Sequence, residues 1–324
     1  MAKILGIGNA LVDLLIETKS DEILAELNLP KGSMQLVDHE TKALIAEKSN
    51  ELSKSMASGG SAANTIHGIA RLGTATAFIG TVGKDEMGKF FNDDLEKSSI
   101  KPLLIYSDSP SGLASTLIST DGERTFGTFL GAAIELGAHS LEKEHFKDYD
   151  ILHIEGYLVQ NHELVEEALK LAKIHGMKVS IDLASYNVVE DNLDFLKEMV
   201  EKYVDIVFAN EEEAKAFTGL EPEEALEKIS SMVEIAVVKV GKEGSYIKSG
   251  DEKFKIGVID TTVTDTTGAG DLYAAGFLHG IVNNMGFEYS GKLGALLAGT
   301  VIQDLGAKIS DEKWDNIYAK IEKF

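Results

Sequence analysis

One segment late in the chain, Asp265-Thr266-Thr267-Gly268-Ala269-Gly270-Asp271, has residue types and spacing suited to chemistry. A glycine-rich turn leads into Leu272-Tyr273-Ala274-Ala275-Gly276, so backbone amides converge at a helix N-terminus. Such a terminus binds an anion without any lysine. Asp271 falls in the first turn, where the helix dipole favours a carboxylate. Beside an anion cradle it has the position of a general base. Capping alone explains the same residues, with the glycines serving the turn and Asp271 the helix end.

Two further clusters have the same character. Gly59-Gly60-Ser61-Ala62-Ala63-Asn64 is a second glycine turn entering a helix, whose apolar side holds Ile66, Ile69 and Leu72. Its small residues let a ligand lie against the backbone, and Asn64 both donates and accepts; a simple loop-to-helix turn is the plainer reading. Asn210-Glu211-Glu212-Glu213 follows a strand-like run, either as ligand-facing polar residues or as an acidic helix start. Gly83-Lys84-Asp85-Glu86-Met87-Gly88-Lys89-Phe90 imitates a P-loop, but Phe90 replaces the hydroxyl residue that holds magnesium, and two acids sit inside the cradle. Gly6-Ile7-Gly8-Asn9 lacks the third glycine of a dinucleotide fingerprint, and the eight histidines show no metal-ligand spacing.

The elements that must position these residues are clearest in the second half. Ile151–Ile154, Val179–Leu183, Ile206–Ala209 and Ala236–Val240 start 28, 27 and 30 residues apart, close to the roughly 30-residue βαβ unit. Leu164, Val165, Ala168, Leu169 and Ala172 form one helical stripe between them, and Leu193, Leu196 and Val200 another. Near-continuous apolar strands alternating with helices predict a parallel sheet covered on both faces, with ligands beyond the strands' carboxyl ends. In the first half, Ser115–Thr120 and Glu123–Leu130 flank Asp121-Gly122, a hairpin signal. With Leu11–Glu17 and Gly32–Val37 these segments predict a small antiparallel sheet inserted as a lid, or else an antiparallel edge of the main sheet.

Composition bounds what the site can serve. The 324 residues hold 31 Lys+Arg against 53 Asp+Glu, a net charge of −22. That excludes nucleic acid as a partner, which needs a basic footprint, and disfavours anionic membranes. There is no cysteine, so disulfides and thiolate chemistry are excluded, in keeping with a cytoplasmic location. The apolar start, Met1 to Leu15, is interrupted by Asp13 and is not read as a signal sequence, and no 18-residue apolar run occurs.

Taken together, the motifs resemble those of the ribokinase-like (PfkB) kinases over nearly the whole chain. Gly59-Gly60…Asn64 is similar to the family's first signature, Asp265–Asp271 with Gly276 to its second, and Asn210-x-x-Glu213 to its Asn-x-x-Glu motif. The resemblance implies an α/β fold, a doubly wound mostly parallel sheet with a small β-sheet lid, expected as 1–10, 56–102 and 133–324 for the body and 11–55 and 103–132 for the lid. It implies ATP and Mg2+ as cofactors, with Mg2+ positioned indirectly by Asn210 and Glu213. It further implies Asp271 as the base, an anion hole from the amides of Gly268, Ala269 and Gly270, and a monovalent cation (K+) near Asp265 and Thr267. Lys239-Val240-Gly241-Lys242-Glu243-Gly244 resembles the nucleotide-side turn, with Lys239 where the family often has Thr; Gly241 and Gly244 are carried over. An exposed lid edge suits pairing with a second copy, unless charges such as Glu123 and Arg124 protect it.

Within the family, several stretches are more similar to adenosine kinases than to ribokinases. Gly8-Asn9-Ala10-Leu11-Val12-Asp13 resembles their start, implying sugar contacts from Asn9 and Asp13. Ser33-Met34-Gln35-Leu36-Val37 is similar to a lid strand that sets Gln35 toward the base, and Arg124 matches an arginine that closes over the phosphates. Gly156-Tyr157-Leu158 departs, with Leu158 where a second aromatic is expected. The expected acceptor is a purine nucleoside, adenosine first, with a sugar such as ribose second; a catalytically silent binding protein is the reading from another class.

Overall fold

The computed structural model describes residues 2–322. In chain order the strands are β1 (Lys3–Ile7), β2 (Leu11–Glu17), β3 (Met34–Leu36), β4 (Lys54–Gly59), β5 (Ala75–Gly83), β6 (Ile100–Ser107) and β7 (Gly112–Ile118). Then come β8 (Arg124–Phe129), β9 (Ile151–Glu155), β10 (Lys178–Asp182), β11 (Ile206–Asn210), β12 (Ile235–Lys239), β13 (Ser245–Ser249) and β14 (Glu252–Ile256). Nine of them form one sheet in the order β14-β13-β12-β11-β10-β9-β1-β5-β6. From β12 to β6 all neighbours are parallel, and β13–β14 add an antiparallel edge.

The apolar runs form these strands because both faces are buried. Leu152, Ile154, Val179, Ile181, Val207 and Val238 pack into one core, while Ile151, Ile206, Phe208, Ile235 and Val237 point into the other. The helices His162–Ile174 and Leu193–Tyr203 cover the first face, and Ser61–Arg71, Ala269–Val282 and Phe287–Val301 the second. The α/β class predicted from the spacing is present, and so is the doubly wound, mostly parallel sheet that the resemblance implies. No helix among the described residues is long and apolar enough to cross a membrane.

The remaining strands make a separate sheet, β3-β8-β7-β2-β4, but it is mixed rather than antiparallel. β2 runs parallel to β7 and β3 parallel to β8, because the chain traverses part of the body between β2 and β7, a crossover long enough for parallel pairing. The Asp121-Gly122 turn does join β7 to β8, with the Gly122 amide donating to the Ser119 carbonyl. Two expected boundaries fall inside strands. β4 extends the small sheet to Gly59, past 55, and β6 stays hydrogen-bonded to β5 as far as Ser107, so 103–107 belong to the large sheet. The sheet's edges are β3 and β4, so Arg124, on the interior strand β8, does not guard an edge.

Candidate active site

Four adjacent strands of the large sheet end in polar side chains: Glu155 on β9, Asp182 on β10, Asn210 on β11 and Lys239 on β12. The register sets Glu155 beside Asp182 and Asn210 beside Lys239. All four face a cavity of about 1450 Å³ whose wall is completed by residues of the small sheet and by the 268–271 turn. This is where ligands bind in open parallel sheets.

The turn is built around Gly268, whose φ of +75° places it in the left-handed region. A Cβ there would lie 2.6 Å from that of Ala307. The first intrahelical bond runs from the Leu272 amide to the Gly268 carbonyl, so the amides of Gly270 and Asp271 have no partner within the helix. The expected hole needs one correction: the Ala269 amide donates to the Thr266 carbonyl at 3.2 Å and closes the turn instead. Thr267 also works locally, its amide donating to Asp265 Oδ1 at 2.7 Å, and it is Thr266 that lines the cavity.

Asp271 is oriented from the neighbouring helix. Ser61 Oγ donates to its Oδ1 at 2.7 Å and Asn64 Nδ2 to its Oδ2 at 3.0 Å, so both glycine motifs meet at one carboxylate. Burial raises the Asp271 pKa, opposed by those two hydrogen bonds. Asn9 is held by Glu155, whose carboxylate accepts from the Asn9 amide at 2.9 Å, Asn9 Nδ2 at 2.6 Å and the Ala62 amide at 3.0 Å. Burial nonetheless pushes Glu155 up to about 7.

Asn210 and Glu213 cap a helix and line the cavity at once. Asn210 Oδ1 accepts from the Glu213 amide at 2.8 Å, and the Glu213 carboxylate accepts from the Asn210 amide and Nδ2 at 2.8 and 2.7 Å. The two readings of this motif therefore coexist. Burial, then the charge of Asp182, lifts Glu213 to about 7. Gly241 and Gly244 line the cavity from the turn after β12, and Gly60 lines it at the start of the Ser61–Arg71 helix.

Other expected residues stand elsewhere. Gln35 is not on the wall; Met34 and Leu36 are, because alternate residues of a strand face opposite ways. Asp13 packs beneath the wall against Gly59, where a Cβ would come within 2.3 Å of its carboxylate. Burial raises Asp13 to about 6. Arg124 does not reach the cavity either: Nη1 pairs with Asp265, and Nη2 donates to the Thr264 carbonyl at 3.2 Å. Asp265 also accepts from the Thr267 and Gly306 amides, both at 2.7 Å. A monovalent cation at Asp265 and Thr267 would therefore meet a carboxylate already neutralised, and these residues do not fit it.

Glu155, Asp182 and Lys239 went unread as site residues in the sequence, although a signal was present. Each lies within one residue of the carboxyl end of a recognised apolar run, where parallel sheets place ligand contacts. Lys308, half-buried beside Ser58 and lowered to about 8 by desolvation, lies off the cavity wall.

Comparison with known proteins matches this architecture. A family model described as pfkB family carbohydrate kinase covers residues 32–314. An adenosine kinase from Sinorhizobium meliloti superposes with a TM-score of 0.86 at 33% identity, over 98% of this chain and 99% of that one. A probable sugar kinase from Rhizobium etli CFN 42 gives 0.87 at 32% identity, over 98% of each chain. A 5-dehydro-2-deoxygluconokinase from Geobacillus thermodenitrificans is 31% identical over 263 residues, 75% of this chain and 78% of that one. With a matched model spanning most of its length and the two glycine motifs joined at Asp271, the chain belongs to the PfkB family of carbohydrate kinases, phosphotransferases acting on sugar or nucleoside hydroxyl groups.

Proposed function

We propose that this kinase transfers the γ-phosphoryl group of ATP to the hydroxymethyl (5′-OH) group of a purine nucleoside, adenosine first. The observation behind the acceptor is the apolar wall offered by the small sheet. Met34 and Leu36 are 57% and 66% exposed on the cavity side of β3, and Leu130, Ile134 and Leu158 line the cavity with them. A nucleobase has apolar faces to bury there, whereas sugar hydroxyls would lose hydrogen bonds to water without replacement. The likeness to an adenosine kinase supports the same choice.

In this reading the acceptor oxygen attacks the γ-phosphorus as the bond to the β,γ-bridging oxygen breaks. ADP leaves, and the hydroxyl proton passes to Asp271. A base whose pKa is raised by burial is suited to hold that proton. The amides at Gly270 and Asp271 oppose the charge on the transferring group. Mg2+ fits as an ion brought by the nucleotide: no three carboxylate or imidazole groups among the described residues could hold a metal by themselves. Mg2+ usually keeps several waters and binds through phosphates, and Asn210 and Glu213, which line the cavity, would hold it through such waters. When bound, it offsets phosphate charge.

Ribose or a related sugar is the second reading. Leu158 in place of a stacking aromatic, worth about 0.5–1.5 kcal/mol, and the likeness to the gluconokinase favour it. ADP release at fixed Mg-ATP, compared for adenosine, inosine, ribose, fructose 6-phosphate and 2-keto-3-deoxygluconate, should be fastest with adenosine. A clear preference for a free sugar would overturn the nucleoside reading. ATP binding without ADP release on any of them would point to a silent binding protein.

Because Arg124 already neutralises Asp265, turnover should be indifferent to exchanging K+ for tetramethylammonium at constant ionic strength. Stimulation specific to K+ would mean that the ion pair opens to admit it.

A further inference from the structure

Phosphoryl transfer needs positive charge at the transferring group, and this chain carries a net −22. The arginine expected to supply that charge is engaged by Asp265, outside the cavity. A different cation stands at the anion turn. Lys239, at the end of β12, lines the cavity with its side chain 16% exposed, and its Nζ lies 2.7 Å from Asp182 Oδ2. The same Nζ stands 3.0 Å from where a Cβ of Gly270 would lie, so the bare backbone of Gly270 is the surface that the ammonium faces. Burial disfavours its charge, but Asp182 and Glu213 outweigh that and hold the pKa above the ordinary lysine value.

As a purely structural pair, Lys239–Asp182 has little to recommend it, since a buried ion pair is often no more stable than an apolar pair of similar volume. Its place on the cavity wall, against the amides that would receive a phosphoryl group, gives it a chemical use. We propose that Lys239 is a catalytic residue of the transfer: its ammonium exchanges Asp182 for oxygens of the γ-phosphoryl group over the Gly270 amide. The ammonium stays protonated and forms no covalent bond. It offsets charge while the phosphorus moves from the bridging oxygen of ATP to the acceptor oxygen. This rests on the reading of Asp271 and the 268–271 turn as the transfer centre.

The absence of cysteine from the chain makes the test specific. Lys239→Cys introduces a single thiol, which 2-bromoethylamine converts to an ammonium-bearing lysine analogue and iodoacetamide to a neutral amide. With Mg-ATP and adenosine, or whichever acceptor wild type accepts, Lys239→Cys should lose about 10²–10³-fold in kcat. Calorimetric affinity for Mg-ADP should stay unchanged. Aminoethylation should restore most of the rate and carbamidomethylation should not. A near-wild-type kcat in Lys239→Cys, or equal rescue by both reagents, would overturn the proposal. If Lys239→Cys fails to fold, the double variant with Asp182→Asn removes the uncompensated carboxylate and takes the same two alkylations. If wild type phosphorylates no acceptor, the functional reading falls while Lys239 remains testable. Its loss should then erase the preference for Mg-ATP over Mg-ADP and aminoethylation should bring it back; an unchanged preference would overturn it.

Discussion

Asp271→Asn should lower kcat by about 10²–10⁴-fold, the contribution of a positioned general base, while Mg-ATP still binds. The substitution is nearly isosteric. The Ser61 hydroxyl and the Asn64 amide can reorient to meet an amide where they now meet a carboxylate. The base works ionised, and burial has raised its pKa. Wild-type turnover should therefore fall as pH drops through that raised value, and the variant should lose this acid limb. Stability has the opposite sign. A carboxyl with a raised folded-state pKa favours the fold while protonated, and that contribution is lost as pH rises through the folded value. At neutral pH the variant should be no less thermostable than wild type. Steady-state kinetics across pH, paired with thermal unfolding, checks both; near-wild-type kcat would remove Asp271 from its role.

Gly60→Ala should be damaging in a different way. Gly60 has φ +96° and ψ 139°, and a Cβ would sit 2.1 Å from the Asn9 carbonyl oxygen. The conformation alone costs a residue other than glycine about 1–3 kcal/mol, and the collision adds to it because its partner is backbone. Relief requires shifting the start of the Ser61–Arg71 helix or the Asn9 segment. Either shift moves groups that fix the site: Ser61 and Asn64 on Asp271, and Asn9 and Ala62 on Glu155. Loss of both melting temperature, roughly 1.5 °C per kcal/mol for a chain of this length, and kcat/KM is expected. Gly73→Ala separates the causes, since its φ is +90° but its Cβ would meet nothing within 4 Å. It should be destabilised by backbone strain alone and keep its kinetics. Equal kinetic loss in both variants would contradict the account of Gly60.

The body of the fold was readable because both faces of a parallel sheet are buried, which leaves apolar runs such as Ile206–Ala209 with little ambiguity. The glycine motifs were readable because a tight turn before a helix admits few residues. What could not be read was pairing between distant segments. Nothing in Leu11–Glu17 indicates that it lies parallel to Gly112–Ile118, and sequence alone cannot say which carboxylate Arg124 meets. Gln35 failed for a finer reason: the lid strand was recognised, but its facing was assigned by resemblance, and a strand set one residue differently presents Met34 and Leu36 instead. Lys239 was seen only as a departure from a motif, because its importance comes from Asp182 and Gly270, which lie 57 and 31 positions away.

The parallel pairing of β2 with β7 also orders events during folding. The strands adjoin in space, but β5 and β6 lie between them in the chain. Only the β7–β8 hairpin of the small sheet can form from local contacts; the rest must wait for a long loop to close, and closure entropy makes such pairings late. All five strands of the roof lie before residue 130, whereas Glu155, Asp182, Asn210 and Lys239 follow it, so a nascent chain carries the whole roof before it has made the strand ends that the roof will cover.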